Sequence, residues 1–205
     1  MVNGPTGKVL MAFFLWASSD LEEGQAWLAK ASSWAPVGMS TVAPTTIADF
    51  NEAANALVPK KAYGAIASVT FKHLTPEVID VIVKHAPLQP MNPEVLFGIH
   101  EIRAEAPTSE SLPSMFINRQ PHFLIEIIPM TSSPADVEHV LEWAREFHGA
   151  LMRTDSANIL ARYLPFTPAS EVDLQSVYGD RLETLREIKH KYDPQNRFKN
   201  GLVQL

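Results

Sequence analysis

The run HFLIEIIPM, from His122 to Met130, is dense in β-branched, aliphatic and aromatic side chains and ends at a proline, which predicts a strand. A second strand is predicted over Glu94 to Arg103, and the polar connection from Ala104 to Pro121 makes the two an antiparallel hairpin. Ser133-Pro134 then opens a helix to about Leu151, with Val137, Val140, Leu141, Ala144, Phe147 and Leu151 at helical spacing and Trp143 beside them. A strand hairpin followed directly by a helix with one apolar stripe has one economical solution: the stripe covers one face of the sheet.

The rest of the chain extends this pattern. Lys8 to Trp16 (KVLMAFFLW) reads as a buried strand, and Asp20 caps a helix over Leu21 to Ser33 with acidic residues in its first turn. Val37 to Ala43 is expected as a short strand and Thr46 to Ala56 as a helix after Pro44. Thr75-Pro76 opens a helix to about His85, because the hydroxyl caps and proline suits the first helical position. A last helix is expected from Glu171 to Lys191, stopped by Asp193-Pro194. The fold class is α+β: an antiparallel sheet with helices packed mainly on one face.

A chain of 205 residues, 46% hydrophobic and 20% charged, is long enough for a sizeable core and is read as a single domain. A formal charge of −6 without a dense Lys/Arg cluster argues against nucleic acid as a partner. No apolar run reaches the roughly 18 residues that span a bilayer, and Val9 to Trp16 lacks the basic flank of a leader; the expectation is a soluble, cytoplasmic protein. Zero cysteines remove disulfides, thiolate ligands and cysteinyl cofactor attachment. The histidines form no HExxH, so no metal site is expected.

The segment Tyr178-Gly179-Asp180-Arg181-Leu182 to Ile188-Lys189, with Tyr192-Asp193-Pro194-Gln195-Asn196-Arg197-Phe198, resembles the end of berberine-bridge-like FAD-linked oxidases, a YG helix followed by K-x-x-YDP-x-N-x-F. The likeness runs upstream through the acidic first helix, Thr45 to Phe50, KxYGAIASVTFKHLTPEVIDVI and the hairpin. It implies a substrate-side region over 1–165 and a C-terminal helix and tail over 166–205. It also implies that the flavin domain, with its glycine-rich loop, is missing upstream of Met1. No cofactor is then expected, except FAD supplied by a partner chain.

The resemblance places Leu160-Ala161-Arg162-Tyr163 where the family carries a Y-x-N-Y-like strand whose tyrosine serves as base and whose asparagine lies near flavin. Tyr163 matches; Arg162 departs from the asparagine, which opens a contact to an anion or carbonyl. Phe116-Ile117-Asn118-Arg119 similarly departs from an F-P-H-R segment, leaving Arg119 as a substrate-contact candidate. From alternation alone, Gly98, His100 and Ile102 share one face of their strand, and His122, Leu124, Glu126 and Ile128 one face of the next. His100 and Glu126 meet as an acid/base pair if the registers match. Phe14, Trp16, Phe97 and Phe123 are candidates for an apolar substrate wall.

Three functions follow. The first is a cofactor-independent cyclase or isomerase, including a pericyclase, that folds an apolar secondary-metabolite intermediate against Tyr163, Arg162, His100 and Glu126. The second is a subunit or fragment of a split FAD-linked oxidoreductase completed by a flavin-domain partner; the third is a non-catalytic small-molecule-binding protein. A surface left by the missing domain predicts a homodimer.

Overall fold

The computed structural model describes residues 1–4, 7–56, 60–102, 115 and 120–201. Contacts group the chain into two compact units, Met1–Val9 with Lys61–Leu205, and Leu10–Lys60.

In the larger unit, β1 (Val2–Gly4) and β2 (Gly7–Val9) form a small hairpin. The main sheet is built around β6 (His122–Thr131), with β5 (Val95–Ile102) antiparallel on one side and β3 (Tyr63–Gly64) and β4 (Ala67–Phe71) antiparallel on the other. The register runs without a shift from Tyr63↔Thr131 to Phe71↔Phe123, so β3 and β4 are one strand interrupted at Ala65 and Ile66. Pro129 explains the interruption. Proline has no N–H to donate to the ladder, so the pairing lapses beside it. Gly64 approaches the Pro129 carbonyl so closely that a Cβ would lie 2.1 Å from its oxygen, and its φ of 138° also favours glycine. Beyond β5, the Phe97 N–H donates to the Met1 carbonyl at 3.3 Å, and the Met1 amino group donates back to the Phe97 carbonyl.

One face of this sheet meets helices. Helix α3 (Pro76–His85) is capped by Thr75, whose Oγ1 accepts from the Val78 N–H at 3.4 Å. Helix α4 (Val137–Met152) buries Val140, Trp143, Ala144, Phe147 and Leu151; of the predicted stripe, Val137 and Leu141 are only partly buried, and Trp143 joins it. These side chains pack with Val69, Phe71, Val95, Phe97, Ile125, Ile127 and Val78 into the core. Phe147 lies at its centre, edge-on to Phe97 at 5.3 Å and stacked on His85 at 5.4 Å. The expected α+β architecture is therefore present, with the hairpin and its helix where the sequence places them.

Past α4 the chain returns along the outer edge of β4. Asn158 clamps it: its Oδ1 accepts from the His73 N–H at 3.0 Å and its Nδ2 donates to the His73 carbonyl at 2.9 Å. Ile159 bridges Phe71, and the Leu160 N–H donates to the Thr70 carbonyl at 2.8 Å. This covers an edge whose backbone groups would otherwise lack partners.

The helix expected over Glu171–Lys191 is divided into α5 (Leu174–Tyr178) and α6 (Leu182–Tyr192). Gly179, at φ 54° and ψ −137°, adopts a conformation almost restricted to glycine and breaks the run. After α6, Asp193 organises the tail. Its carboxylate accepts from the Arg197 N–H at 2.7 Å and the Phe198 N–H at 3.0 Å and pairs with Lys189, while Asn196 takes the left-handed turn at φ 49°.

The smaller unit holds α1 (Leu21–Ser32) and α2 (Ile47–Ala56). Asp20 caps α1 as expected, its Oδ1 accepting from the Glu23 N–H at 2.9 Å. Two expected strands do not form. Residues 10–16 and 37–43 carry no strand pairing, and Leu10, Phe13, Leu15 and Met39 are exposed. Apolar content alone does not make a strand; a ladder partner is required, and these runs have none among the described residues.

Candidate functional site

The sheet face turned away from the core is set by strand alternation. The register pairs Gly98 with Glu126 and His100 with Leu124, while Ser68 and Thr70 stand beside Glu126 and Leu124 on the other flank. Glu126 has no side chain opposite it at Gly98, so its carboxylate reaches diagonally to the next same-face residue of β5. Glu126 Oε1 lies 3.0 Å from His100 Nε2, with Glu126 largely shielded and His100 about half exposed.

The chain along β4 supplies the opposite wall. Tyr163 caps a short turn in which its carbonyl accepts from the Phe166 N–H at 3.0 Å and from Thr167 Oγ1 at 2.9 Å. Its half-exposed ring stands edge-on to Phe166 at 5.1 Å. Arg162 is oriented by an ion pair with Glu171. An open cavity of about 370 Å³ is lined by Thr70, His100, Ile102, His122, Leu124, Glu126, Ala161, Arg162, Tyr163 and Phe166. Ile102, Leu124, Ala161 and Phe166 give it apolar surface, and groups able to donate or carry protons stand beside them.

Thus His100, Glu126, Arg162 and Tyr163, four residues singled out from the sequence, line one cavity. The aromatic candidates are placed otherwise. Phe97 alternates to the opposite face and is core, and Phe123 pairs with Glu101 and Phe71 on that same face. Phe14 and Trp16 belong to the smaller unit, where Trp16 Nε1 donates to the Asp20 carbonyl at 2.6 Å and its ring lies over Gly24. Arg119 lies outside the described residues. Thr70, His122 and Phe166 were not singled out. The signal for Thr70 is present in ASVTF, where Ala67, Val69 and Phe71 alternate with Ser68 and Thr70.

A second, smaller cavity of about 180 Å³ adjoins Arg162, Phe166, His148 and Glu171. Burial pushes the His148 imidazole below its ordinary pKa, and the Arg162 guanidinium adds to this, against the opposing influence of Glu171 and the Ser68 backbone.

A dinucleotide cofactor needs a cradle of backbone N–H groups for its pyrophosphate, usually a glycine-rich loop opening a helix. The nine described glycines do not build one: Gly4 ends β1 and Gly7 opens β2, Gly24 is under Trp16, Gly64 is against Pro129, Gly98 is under Glu126, Gly149 is within α4, Gly179 joins two helical segments, and Gly38 and Gly201 lie outside any helix. The described residues therefore do not fit FAD by themselves. Among them no group of three or more His, Cys, Asp or Glu residues is arranged to hold a metal ion, and no helix is long and apolar enough to cross a membrane.

The model of the family described as "Berberine and berberine like" matches residues 172–202, which take in α5, α6 and the turn organised by Asp193. The FAD-linked oxidoreductase aurO of Gibberella zeae is 21% identical over 205 residues, covering 98% of this chain and 40% of that protein. Among solved structures, CrmK, a flavoenzyme involved in shunt product recycling in caerulomycin biosynthesis, superposes with a TM-score of 0.54 at 16% identity over 86% of this chain and 40% of its own. A berberine-bridge-like protein of Physcomitrella patens gives a TM-score of 0.49 at 16% identity over 64% of this chain and 28% of its own. The chain thus spans 40% of the length of the curated relative it matches.

Proposed function

We infer that this chain, with its berberine-like C-terminal segment and the fold of part of a flavoenzyme, forms the substrate-side wall of an FAD-linked oxidoreductase. The observation that carries the reading is the convergence of Tyr163, Arg162, His100 and Glu126 on one open cavity at the sheet face away from the core. In this reading Tyr163 takes a proton from the substrate, and the Glu126–His100 pair carries protons at the cavity wall. Arg162, steadied by Glu171, holds an anionic or carbonyl oxygen, while Leu124, Ile102 and Phe166 receive the apolar body of the substrate. FAD, which supplies the redox chemistry in enzymes linked to it, is held by a surface other than the described residues, either on a partner chain or elsewhere in the same assembly.

Tyr163→Phe in the flavin-loaded assembly tests the assignment. Turnover is expected to fall by about 10²–10⁴, the usual contribution of a positioned acid or base, with flavin content unchanged. Unaltered turnover would remove Tyr163 from the reaction.

A second reading, a cofactor-independent cyclase or isomerase acting on an apolar secondary-metabolite intermediate, is favoured by one observation. Arg162 stands where the resemblance expects an asparagine near flavin, and it borders the larger cavity although its ion-pair partner Glu171 lines the smaller one. A homodimer, the alternative cover for the exposed Leu10, Phe13 and Leu15, is separated from a flavin-bearing partner by light scattering on the purified chain.

A further inference from the structure

Gly98 is the residue opposite Glu126 in the β5–β6 ladder, and its backbone dihedrals are not of the left-handed kind that demands glycine. Space explains it better. A Cβ at Gly98 would lie 2.8 Å from Glu126 Oε1, 3.2 Å from Glu126 Cγ and 3.3 Å from His100 Nε2. The atoms it would meet are therefore those of the pair that approach each other to 3.0 Å.

We propose that Gly98 is a positioning residue: the absent side chain leaves a recess over β5 in which the Glu126 carboxylate lies, and this recess aims the carboxylate at His100. The proposal rests on the reading of His100 and Glu126 as cavity groups, but it concerns their geometry and is tested without turnover. Because the colliding atom is the far end of a flexible side chain, a methyl at position 98 moves the carboxylate and leaves the ladder intact. Gly98→Ala should thus separate the pair while the protein stays folded.

The test is the rate at which diethyl pyrocarbonate acylates His100, read by peptide mass spectrometry on folded protein at one pH. Melting curves confirm that each variant is folded. Wild type, Gly98→Ala, Glu126→Gln and the double variant are compared. Loss of the partly exposed contact that occupies His100 Nε2 predicts that Glu126→Gln raises the His100 rate by about two- to fivefold. Gly98→Ala should raise it by the same factor, and the double variant should exceed neither single one, since both remove the same contact. A Gly98→Ala rate equal to wild type overturns the proposal, as does a factor that multiplies with that of Glu126→Gln. An unchanged rate in Glu126→Gln overturns it as well, because the pair then does not shield His100. Failure of the flavin reading would leave these rates as they are, so the two can fail separately.

Discussion

Removing the Asn158 side chain should loosen the wall that carries Tyr163 and Arg162. In Asn158→Ala the His73 N–H and carbonyl lose partners at 3.0 and 2.9 Å, and Asn158 itself is only 6% exposed. A buried polar group left unpaired costs about 1–3 kcal/mol. His73 is an exposed residue whose bonds to Asn158 are partly buried, so water can reach part of the gap and the two losses together are placed at about 2 kcal/mol. For a chain of this size that is a fall in Tm of about 4–8 °C. Asn158→Asp keeps the acceptor for the His73 N–H but sets a charge against the His73 carbonyl, so it should remain destabilised. Thermal unfolding followed by circular dichroism gives the magnitude, and hydrogen exchange at Leu160, whose N–H bonds to Thr70, locates it. If Asn158→Ala melts within about 1 °C of wild type, the clamp is not what holds this segment against β4.

Phe147→Ala should cost about 3–5 kcal/mol in chemical denaturation, because it empties the centre of the core between Phe97, His85 and Trp143; a loss below about 1.5 kcal/mol would mean that the site collapses or is poorly packed. Burial holds the His85 imidazole below its ordinary pKa, with Lys84 and Arg153 adding to the effect against Glu146, and His148 is lowered in the same direction. The unfolded state then binds more protons than the folded one as pH falls through about 6.5, so acidification from about pH 7.5 to 5.5 lowers stability. NMR titration should find both rings still neutral at pH values where an exposed histidine is half protonated, and a ring titrating at or above the ordinary value contradicts the assignment. Asp193 is held below the usual carboxylate range by Lys189 and by the Phe198 and Arg197 N–H groups. Its contribution is complete above about pH 3.9 and disappears as pH drops through the lower folded value. Asp193→Ala should accordingly remove the exchange protection of Arg197 and Phe198 at neutral pH while leaving that of α4 intact.

The parts of this fold legible in the sequence are those fixed by local pattern. The strand His122–Met130, the helix opened by Ser133-Pro134 and the caps at Asp20 and Thr75 depend on neighbours within a few residues and form close to their expected bounds, except that Pro134–Asp136 is a 3-10 turn and α4 proper begins at Val137. Alternation assigned Gly98, His100 and Glu126 to candidate faces; the register that joins those faces is a long-range property and came from the structure. β4 escaped because the run is only five residues long and opens on Ala67 and Ser68, which are not strong strand formers, although the alternation of Ser68 and Thr70 with Val69 and Phe71 carried the signal. The errors have the opposite origin. Residues 8–16 and 37–43 have strand-like composition but no ladder beyond Val9, and the run from Glu171 to Lys191 has helical spacing interrupted by Gly179. The choice of Phe97 and Phe123 as a substrate wall shows the limit of residue type: one step of alternation separates the cavity from the core.

The visible absorbance spectrum of the protein isolated from the cells that make it, taken with the mass of every polypeptide under denaturing conditions, addresses the central claim most directly. The folded assembly is expected to show the absorbance of oxidised flavin, carried by a surface other than the described residues. A folded, colourless assembly that ignores added FAD yet converts an apolar substrate would contradict the claim and leave the same cavity to cofactor-independent chemistry.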